Sequence, residues 1–211
     1  MTGGFYADAV KRFFDIVTAT FLLLLLLPVM LLVWLTVLCA LGSPAFYFDT
    51  RAGREGRPIV IGKFRSMSLA CGPDGTPLPD ADRLGTFGRW LRRSSLDELP
   101  QLVSVLIGDM SLVGPRPLPL RYLERYSARQ ATRLQVRPGL TGWAQIHGRN
   151  HLDWPARLEF DARYVEMLGK WYAPVIDMWI LVATFFLVAG QVITGRGVTA
   201  PGAATMQEFL P

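Results

Sequence analysis

Cysteine, lysine and histidine are all scarce in this chain, and charge of either sign is thin. Two cysteines, Cys39 and Cys71, stand among 211 residues. One lies in an apolar run and the other beside a Gly-Pro turn, which excludes a disulfide-built scaffold and a four-cysteine zinc site. The two histidines, His147 and His151, have the wrong spacing to complete a mixed zinc site with them. Charged residues make up 18%, against roughly 25% in an average soluble domain. There is no internal repeat and no low-complexity segment beyond one leucine run. Apolar residues make up 51% and the mean hydropathy is +0.28. That excludes disorder, because ample apolar surface is present to offset chain entropy.

The charge that is present is mostly arginine. Three lysines (Lys11, Lys63, Lys170) accompany 19 arginines, and the net charge is +5. The planar fork of Arg pairs phosphate bidentately. A membrane surface, a phosphorylated substrate or nucleic acid are therefore the candidate partners. GC-rich coding also favours Arg over Lys, so the bias carries little weight alone.

Ile16 to Leu41 runs 26 residues without a charge and includes six consecutive leucines, Leu22 to Leu27. Such a run is long enough to cross a bilayer. It exceeds the apolar region of a signal peptide and lacks a good cleavage site. Basic residues flank both ends: Lys11 and Arg12 before, then Arg51, Arg54, Arg57, Lys63 and Arg65 after. The positive-inside rule puts both ends on the cytoplasmic side. Pro28, near the middle, removes one backbone hydrogen bond and can bend the helix. A re-entrant helix and a kinked span both satisfy these features. A second apolar stretch, Val175 to Ile193, could span, dock on the protein or lie in the interface.

Between the two runs, Phe46–Arg51 and Pro58–Phe64 read as a hairpin, and Cys71–Leu84 reads as a loop. Short helices are expected over Arg83–Arg93 and Leu99–Ile107, the latter ended by Gly108. A longer helix is expected over Leu120–Val136, stopped by Pro138-Gly139. Another is expected over Trp154–Leu168, with Asp153 as cap and Pro155 in its first turn. Arg121, Arg125, Arg129, Arg133 and Arg137 recur at every fourth residue, as a solvated face or one that meets anionic headgroups.

Three segments could carry chemistry. Arg92-Arg93-Ser94-Ser95-Leu96-Asp97-Glu98-Leu99-Pro100 sets adjacent carboxylates beside two arginines. Such a pair can hold a divalent cation and present a nucleophile. The bland alternative is a capping box with Ser95 as cap and Glu98 three residues on. Pro115-Arg116-Pro117 holds one Arg on a stiff backbone, as a phosphate site needs, or as a plain extended loop does. Thr141 to Asn150 has glycines and short polar side chains suited to a nucleotide but no phosphate-loop spacing.

Taken together the motifs resemble the monotopic phosphoglycosyl transferases, the bacterial sugar transferase family. The matching residues run in order from Lys11-Arg12 and Phe14-Asp15 through Arg51-Ala52-Gly53 and Lys63-Phe64-Arg65-Ser66-Met67. Arg83-Leu84-Gly85, Phe87-Gly88 and the core Ser95-Leu96-Asp97-Glu98-Leu99-Pro100-Gln101-Leu102 follow. Gly108-Asp109-Met110-Ser111, Val113-Gly114-Pro115-Arg116-Pro117, Arg137-Pro138-Gly139, Thr141-Gly142, Ala144-Gln145 and Gly148-Arg149-Asn150 complete the series. The pattern departs at Leu27-Pro28, where the family often has Ser-Pro, at Asp49, where it often has Gln, and around Tyr172-Ala173-Pro174, which looks like a small insertion.

The resemblance implies an α+β fold, mainly α. Residues 1–45 would form an N-terminal segment with a re-entrant membrane helix broken at Pro28 and flanked by Lys11 and Arg12. Residues 46–172 would form a catalytic domain with a small β-hairpin, lying on the membrane surface. Residues 173–211 would form an apolar or interfacial helix and tail. The chain would be a minimal catalytic unit on the cytoplasmic face of the bacterial inner membrane. It would transfer a sugar 1-phosphate from a UDP-sugar to polyprenyl (undecaprenyl) phosphate and release UMP, an opening step of surface glycan assembly. By the same analogy Asp97 is the nucleophile, Glu98 binds Mg2+ beside it, and Asp177 is a further metal carboxylate. Arg92, Pro115, Arg116, Pro117, Arg149 and Asn150 would meet substrate. Expected partners are UDP-sugar, polyprenyl phosphate and anionic phospholipid, with a homodimer allowed. Nucleic acid is not expected, because few aromatics interleave with the basic residues. A non-enzymatic lipid-binding anchor would leave Asp97-Glu98 and Pro115-Arg116-Pro117 without a role.

Overall fold

The computed structural model describes residues 6–148, 152–194 and 208–209. The first helix, α1 (Lys11–Leu41), follows a short π-helical turn at Tyr6–Val10. Its turns continue through Pro28 without ending. At about 1.5 Å per residue, 31 residues extend about 46 Å. Phe13, Phe14, Phe21, Leu24, Leu25 and Leu32 are exposed on it. A second set faces the protein: Ala19, Leu22 and Leu23 pack on the main core, and Met30, Val33, Val37, Leu38 and Leu41 pack on a second cluster with Phe64 and Leu91. The helix therefore belongs to the fold along much of its length.

The expected hairpin is present. β1 (Phe46–Ala52) pairs antiparallel with β2 (Pro58–Phe64), Phe46 opposite Phe64. Next come α2 (Asp80–Arg83), α3 (Thr86–Arg93) and α4 (Gln101–Ile107), which ends at Gly108 with φ +100° as the sequence predicts. The expected Arg83–Arg93 helix is split, because Leu84 and Gly85 leave helical geometry.

β3 (Ser111–Val113) pairs in parallel with β4 (Gly139–Thr141), a contact the sequence did not reveal. It depends on bare backbone. A Cβ on Gly139 would lie 2.0 Å from the Gly114 nitrogen, and one on Gly142 would lie 2.2 Å from the Gly114 oxygen. The segment between these strands is not one helix. It holds a 3-10 stretch at Leu120–Arg125, then α5 (Ala128–Ala131), capped by Ser127 with Gln130, then another 3-10 turn at Thr132–Gln135.

α6 (Trp143–Ile146) is short. α7 (Trp154–Leu168) has the predicted bounds, and the Asp153 carboxylate accepts from the Ala156 N–H at 2.8 Å. α8 (Ala173–Thr194) exposes Val175, Met178, Trp179, Phe185 and Phe186. α1 and α8 are both long and apolar enough to cross a membrane. The fold is mainly helical α+β, as expected.

Candidate active site

Asp97 and Glu98 lie on a single 3-10 turn, Leu96–Glu98, between α3 and α4. The capping-box alternative fails. Ser95 has φ +57° and makes no capping hydrogen bond, and α4 begins only at Gln101. Pro100 then sits just before that helix, where its missing N–H costs nothing. A serine in the left-handed region carries about 1–2 kcal/mol of local strain. This sharp turn points the two neighbouring carboxylates into different surroundings.

Glu98 faces two cations. Its Oε1 accepts from Lys63 Nζ at 2.6 Å and from Arg116 Nη2, and its Oε2 accepts from Arg116 Nη1 at 3.3 Å. Lys63 comes from the end of β2 and Arg116 from the Pro-Arg-Pro segment after β3. Burial would push the Glu98 carboxyl up, but Arg116 and Lys63 together hold it well below the usual carboxylate range.

Asp97 is buried, with 7% of its surface exposed. Burial, and then the charge of Glu98, push its carboxyl up from 3.8 to about 6, while Lys63, Arg92 and Arg116 oppose the rise. Among the described residues its carboxylate takes no hydrogen bond. Two adjacent carboxylates with widely separated acidities can divide two roles: one stays a fixed anion, the other is a free reactive oxygen near its titration point.

Arg92, near the end of α3, donates from Nε to Ser66 Oγ at 2.9 Å. Gly88 allows this approach, since a Cβ there would lie 1.8 Å from the Ser66 carbonyl oxygen. Arg116 is braced from behind. Arg133 Nη2 donates to the Arg116 carbonyl at 2.6 Å and pairs with Asp161 at 2.9 Å. The flanking Pro115 and Pro117 fix φ on both sides.

The sequence matches a known family. The family model described as Bacterial sugar transferase matches residues 6–191. This chain belongs to the bacterial sugar transferase family. It is 41% identical over 199 residues to the uncharacterized sugar transferase EpsL of Bacillus subtilis, covering 94% of this chain and 95% of that one. It is 41% identical to the UDP-glucose:undecaprenyl-phosphate glucose-1-phosphate transferase of Escherichia coli, covering 83% of this chain but 39% of that protein. It is 38% identical to the undecaprenyl-phosphate galactose phosphotransferase of Salmonella typhimurium, covering 89% of this chain and 41% of that protein. The chain thus spans about two-fifths of these two relatives named for a reaction and nearly all of EpsL. The family is one of phosphoglycosyl transferases.

Asp97, Glu98, Arg92 and Arg116 come together in this member of the sugar transferase family. Pro115 and Pro117 contribute backbone stiffness. Arg149 and Asn150 lie outside the described residues, as does His151. Asp177 does not join the cluster. Its carboxylate accepts from Lys11 Nζ, Tyr6 Oη and Tyr164 Oη, each at 2.7 Å, in a separate buried node. Among the described residues no three His, Cys, Asp or Glu side chains converge. A Mg2+ ion wants hard oxygens and commonly keeps one or two carboxylates plus substrate phosphates. Asp97 fits that donor chemistry, whereas Glu98 is committed to its two cations and Asp177 to its own node.

Lys11 and Arg12 are both engaged within the fold. Lys11 is buried against Asp177, and Arg12 donates to the carbonyls of Val105 and Leu106 at the end of α4. The five arginines do not share one helical face, because the segment that carries them is not a single helix. Arg121 and Arg125 pair with Glu208, Arg129 with Glu159 and Glu166, and Arg133 with Asp161, while Arg137 donates to the Gly108 carbonyl. His147 is a turn residue whose ring stacks on Phe160 and lies tilted against Trp143. Sequence reasoning missed Lys63, Arg133 and Asp161 as parts of the site. The scarcity of lysine was the available signal: in so arginine-rich a chain, two of three lysines make direct pairs with acids, Lys11 and Lys63.

Proposed function

We propose that this chain transfers a sugar 1-phosphate from a UDP-sugar to polyprenyl phosphate in two steps. In the first, a carboxylate oxygen of Asp97 bonds to the sugar-linked phosphorus, the P–O bond to UMP breaks, and UMP leaves. In the second, a phosphate oxygen of the lipid bonds to that phosphorus and the Asp97 carboxylate departs. The product is a polyprenyl diphosphosugar. The observation that carries this reading is the division between Asp97, buried and with its oxygens free of hydrogen bonds among the described residues, and Glu98, fixed between Lys63 and Arg116.

An anionic nucleophile must approach an anionic diphosphate, so cations around the turn must offset the repulsion. Arg116 and Arg92 are suited to meet phosphate oxygens, and Glu98 holds Arg116 and Lys63 in register. Mg2+ would be held by Asp97 together with substrate phosphates, where it supplies further neutralisation of phosphoryl charge. The relatives named for undecaprenyl-phosphate glucose-1-phosphate and galactose phosphate transfer make UDP-glucose and UDP-galactose the first donors to test.

The proposal includes a re-entrant α1 at the cytoplasmic face. Both ends of α1 are tied to the same domain, which supports it. Lys11 and Arg12 hold its start to α8 and α4, and Arg65 donates to the carbonyls of Leu41 and Gly42 at its end. In this reading a helix so fastened would bring its exposed apolar side, and that of α8, to one leaflet beside the Asp97 turn. The decisive experiment measures UMP release from a UDP-sugar panel with polyprenyl phosphate and Mg2+, with mass analysis for a phosphosugar on Asp97. No release from any donor, or a trapped adduct on another residue, would refute the mechanism.

A further inference from the structure

A small aromatic box lies behind Pro115-Arg116-Pro117. Tyr122, Tyr126 and Trp154 form its walls, and Leu118 and Leu158 its floor. Phe209, near the end of the sequence, fills it and keeps only 4% of its surface exposed. Its ring lies 5.6 Å from that of Tyr122, 6.0 Å from Tyr126 and 5.3 Å from Trp154. The backbone is held as well. The Phe209 N–H donates to Tyr122 Oη at 3.2 Å, and its carbonyl accepts from Arg125. Glu208 pairs with Arg125 at 3.0 Å and Arg121 at 3.4 Å. An acidic residue followed by an aromatic one is thus recognised by side chain, charge and main chain together.

The box is wired to the Asp97 site. Tyr126, stacked on Phe209, accepts from Arg133 Nη1 at 3.0 Å. Arg133 in turn donates to the Arg116 carbonyl. Leu118, two residues beyond Arg116, packs in the same cluster as Phe209, and its carbonyl accepts from the Ala52 N–H at 2.8 Å. We propose that Glu208–Phe209 is a latch that positions Arg116, so that docking of this dipeptide sets how well the site binds the diphosphate of the donor. The inference rests on the reading that Arg116 meets that diphosphate. Phe209 and Glu208 are positioning residues, since they act through Tyr126, Arg133 and Leu118.

Two readouts test the latch in the full chain: amide hydrogen exchange at Ala52 and Tyr122, and UMP-release kinetics. Phe209→Ala should speed exchange at both amides. It should raise the KM for the UDP-sugar on the order of tenfold, with the KM for polyprenyl phosphate little changed. Phe209→Tyr, which keeps the ring, should restore both readouts. So should a synthetic peptide of residues 203–211 added to the Phe209→Ala protein. Unchanged exchange in Phe209→Ala would overturn the latch, whether or not the enzyme turns over. Faster exchange with an unchanged donor KM would overturn its link to Arg116. If the parent chain releases no UMP, the transferase reading fails, and exchange at Ala52 and Tyr122 alone decides whether Phe209 braces the Arg116 segment.

Discussion

Replacing Asp97 by Asn should abolish turnover and stabilise the fold at the same time. An amide cannot form the acyl phosphate, so UMP release should fall by several orders of magnitude. The gain in stability comes from the environment. Burial and the neighbouring Glu98 raise the Asp97 carboxyl from 3.8 to about 6. The folded state therefore disfavours the ionised form by about 3 kcal/mol at neutral pH, since each tenfold change in acidity is worth about 1.4 kcal/mol. The amide carries no charge to bury. The sign with pH follows from linkage. The cost of ionised Asp97 is present above about pH 6, shrinks as pH falls through that value, and is gone below about 4. The advantage of the Asp97→Asn variant should do the same. Thermal or denaturant unfolding in one fixed detergent or nanodisc, run at about pH 7.5 and about pH 4.5 on either side of that titration, measures it. At about 2–4 °C per kcal/mol for a chain of this size, the midpoint should rise by several degrees at the higher pH. Turnover within about tenfold of the parent would sink the nucleophile assignment. A destabilised Asp97→Asn protein, or a gain independent of pH, would refute the electrostatic reasoning.

The neighbouring carboxylate should behave oppositely. Glu98→Gln leaves Lys63 and Arg116 facing a neutral amide and should cost about 2 kcal/mol in the same unfolding assay, with a severe loss of UMP release. In the parent, kcat/KM should fall about tenfold per pH unit below about pH 6 as Asp97 takes up its proton; a profile flat to about pH 5 would remove Asp97 from the rate-determining chemistry. Gly139→Ala drives a methyl into the Gly114 backbone and should cost about 3 kcal/mol, seen as lost folded yield, whereas Gly85→Ala has open space at an ordinary φ of −71° and should cost far less. Single cysteines at Gly4 and Ser43, with Cys39 and Cys71 replaced, should both resist an impermeant thiol reagent in intact cells; labelling of either would show that α1 spans.

What the sequence disclosed was local. Asp153 and Pro155 mark the start of α7, Gly108 marks the end of α4, and the β-prone runs on either side of Gly53 mark the hairpin. Each signal acts within a few residues of its effect. The same reasoning failed between Leu120 and Val136, where arginines at every fourth position imitate one helical face. Their partners come from α7, the Gly108 carbonyl and Glu208, and spacing along the chain cannot report such contacts. Asp97 and Glu98 were visible as a pair. Their unequal surroundings were not, because Lys63 is 35 residues from Glu98 and Arg116 is 18. The partners of Asp177 were hidden for the same reason: the lysine and tyrosines that hold this carboxylate in an apolar run are distant in sequence.

The buried node that joins Lys11 to Asp177 has a consequence for synthesis. The two residues are 166 positions apart. At about 5–20 residues per second, the ribosome makes Asp177 roughly ten to thirty seconds after Lys11. Throughout that interval the Lys11 ammonium lacks the carboxylate it will meet. In the re-entrant arrangement proposed for α1, that unneutralised charge would hold the leading end of the nascent helix on the cytoplasmic side. Only when α8 emerges does the charge find its partner, and Tyr6 and Tyr164 close over the same carboxylate. On that proposal, the order of translation leaves the arrangement of the first helix open until α8 arrives to complete the node.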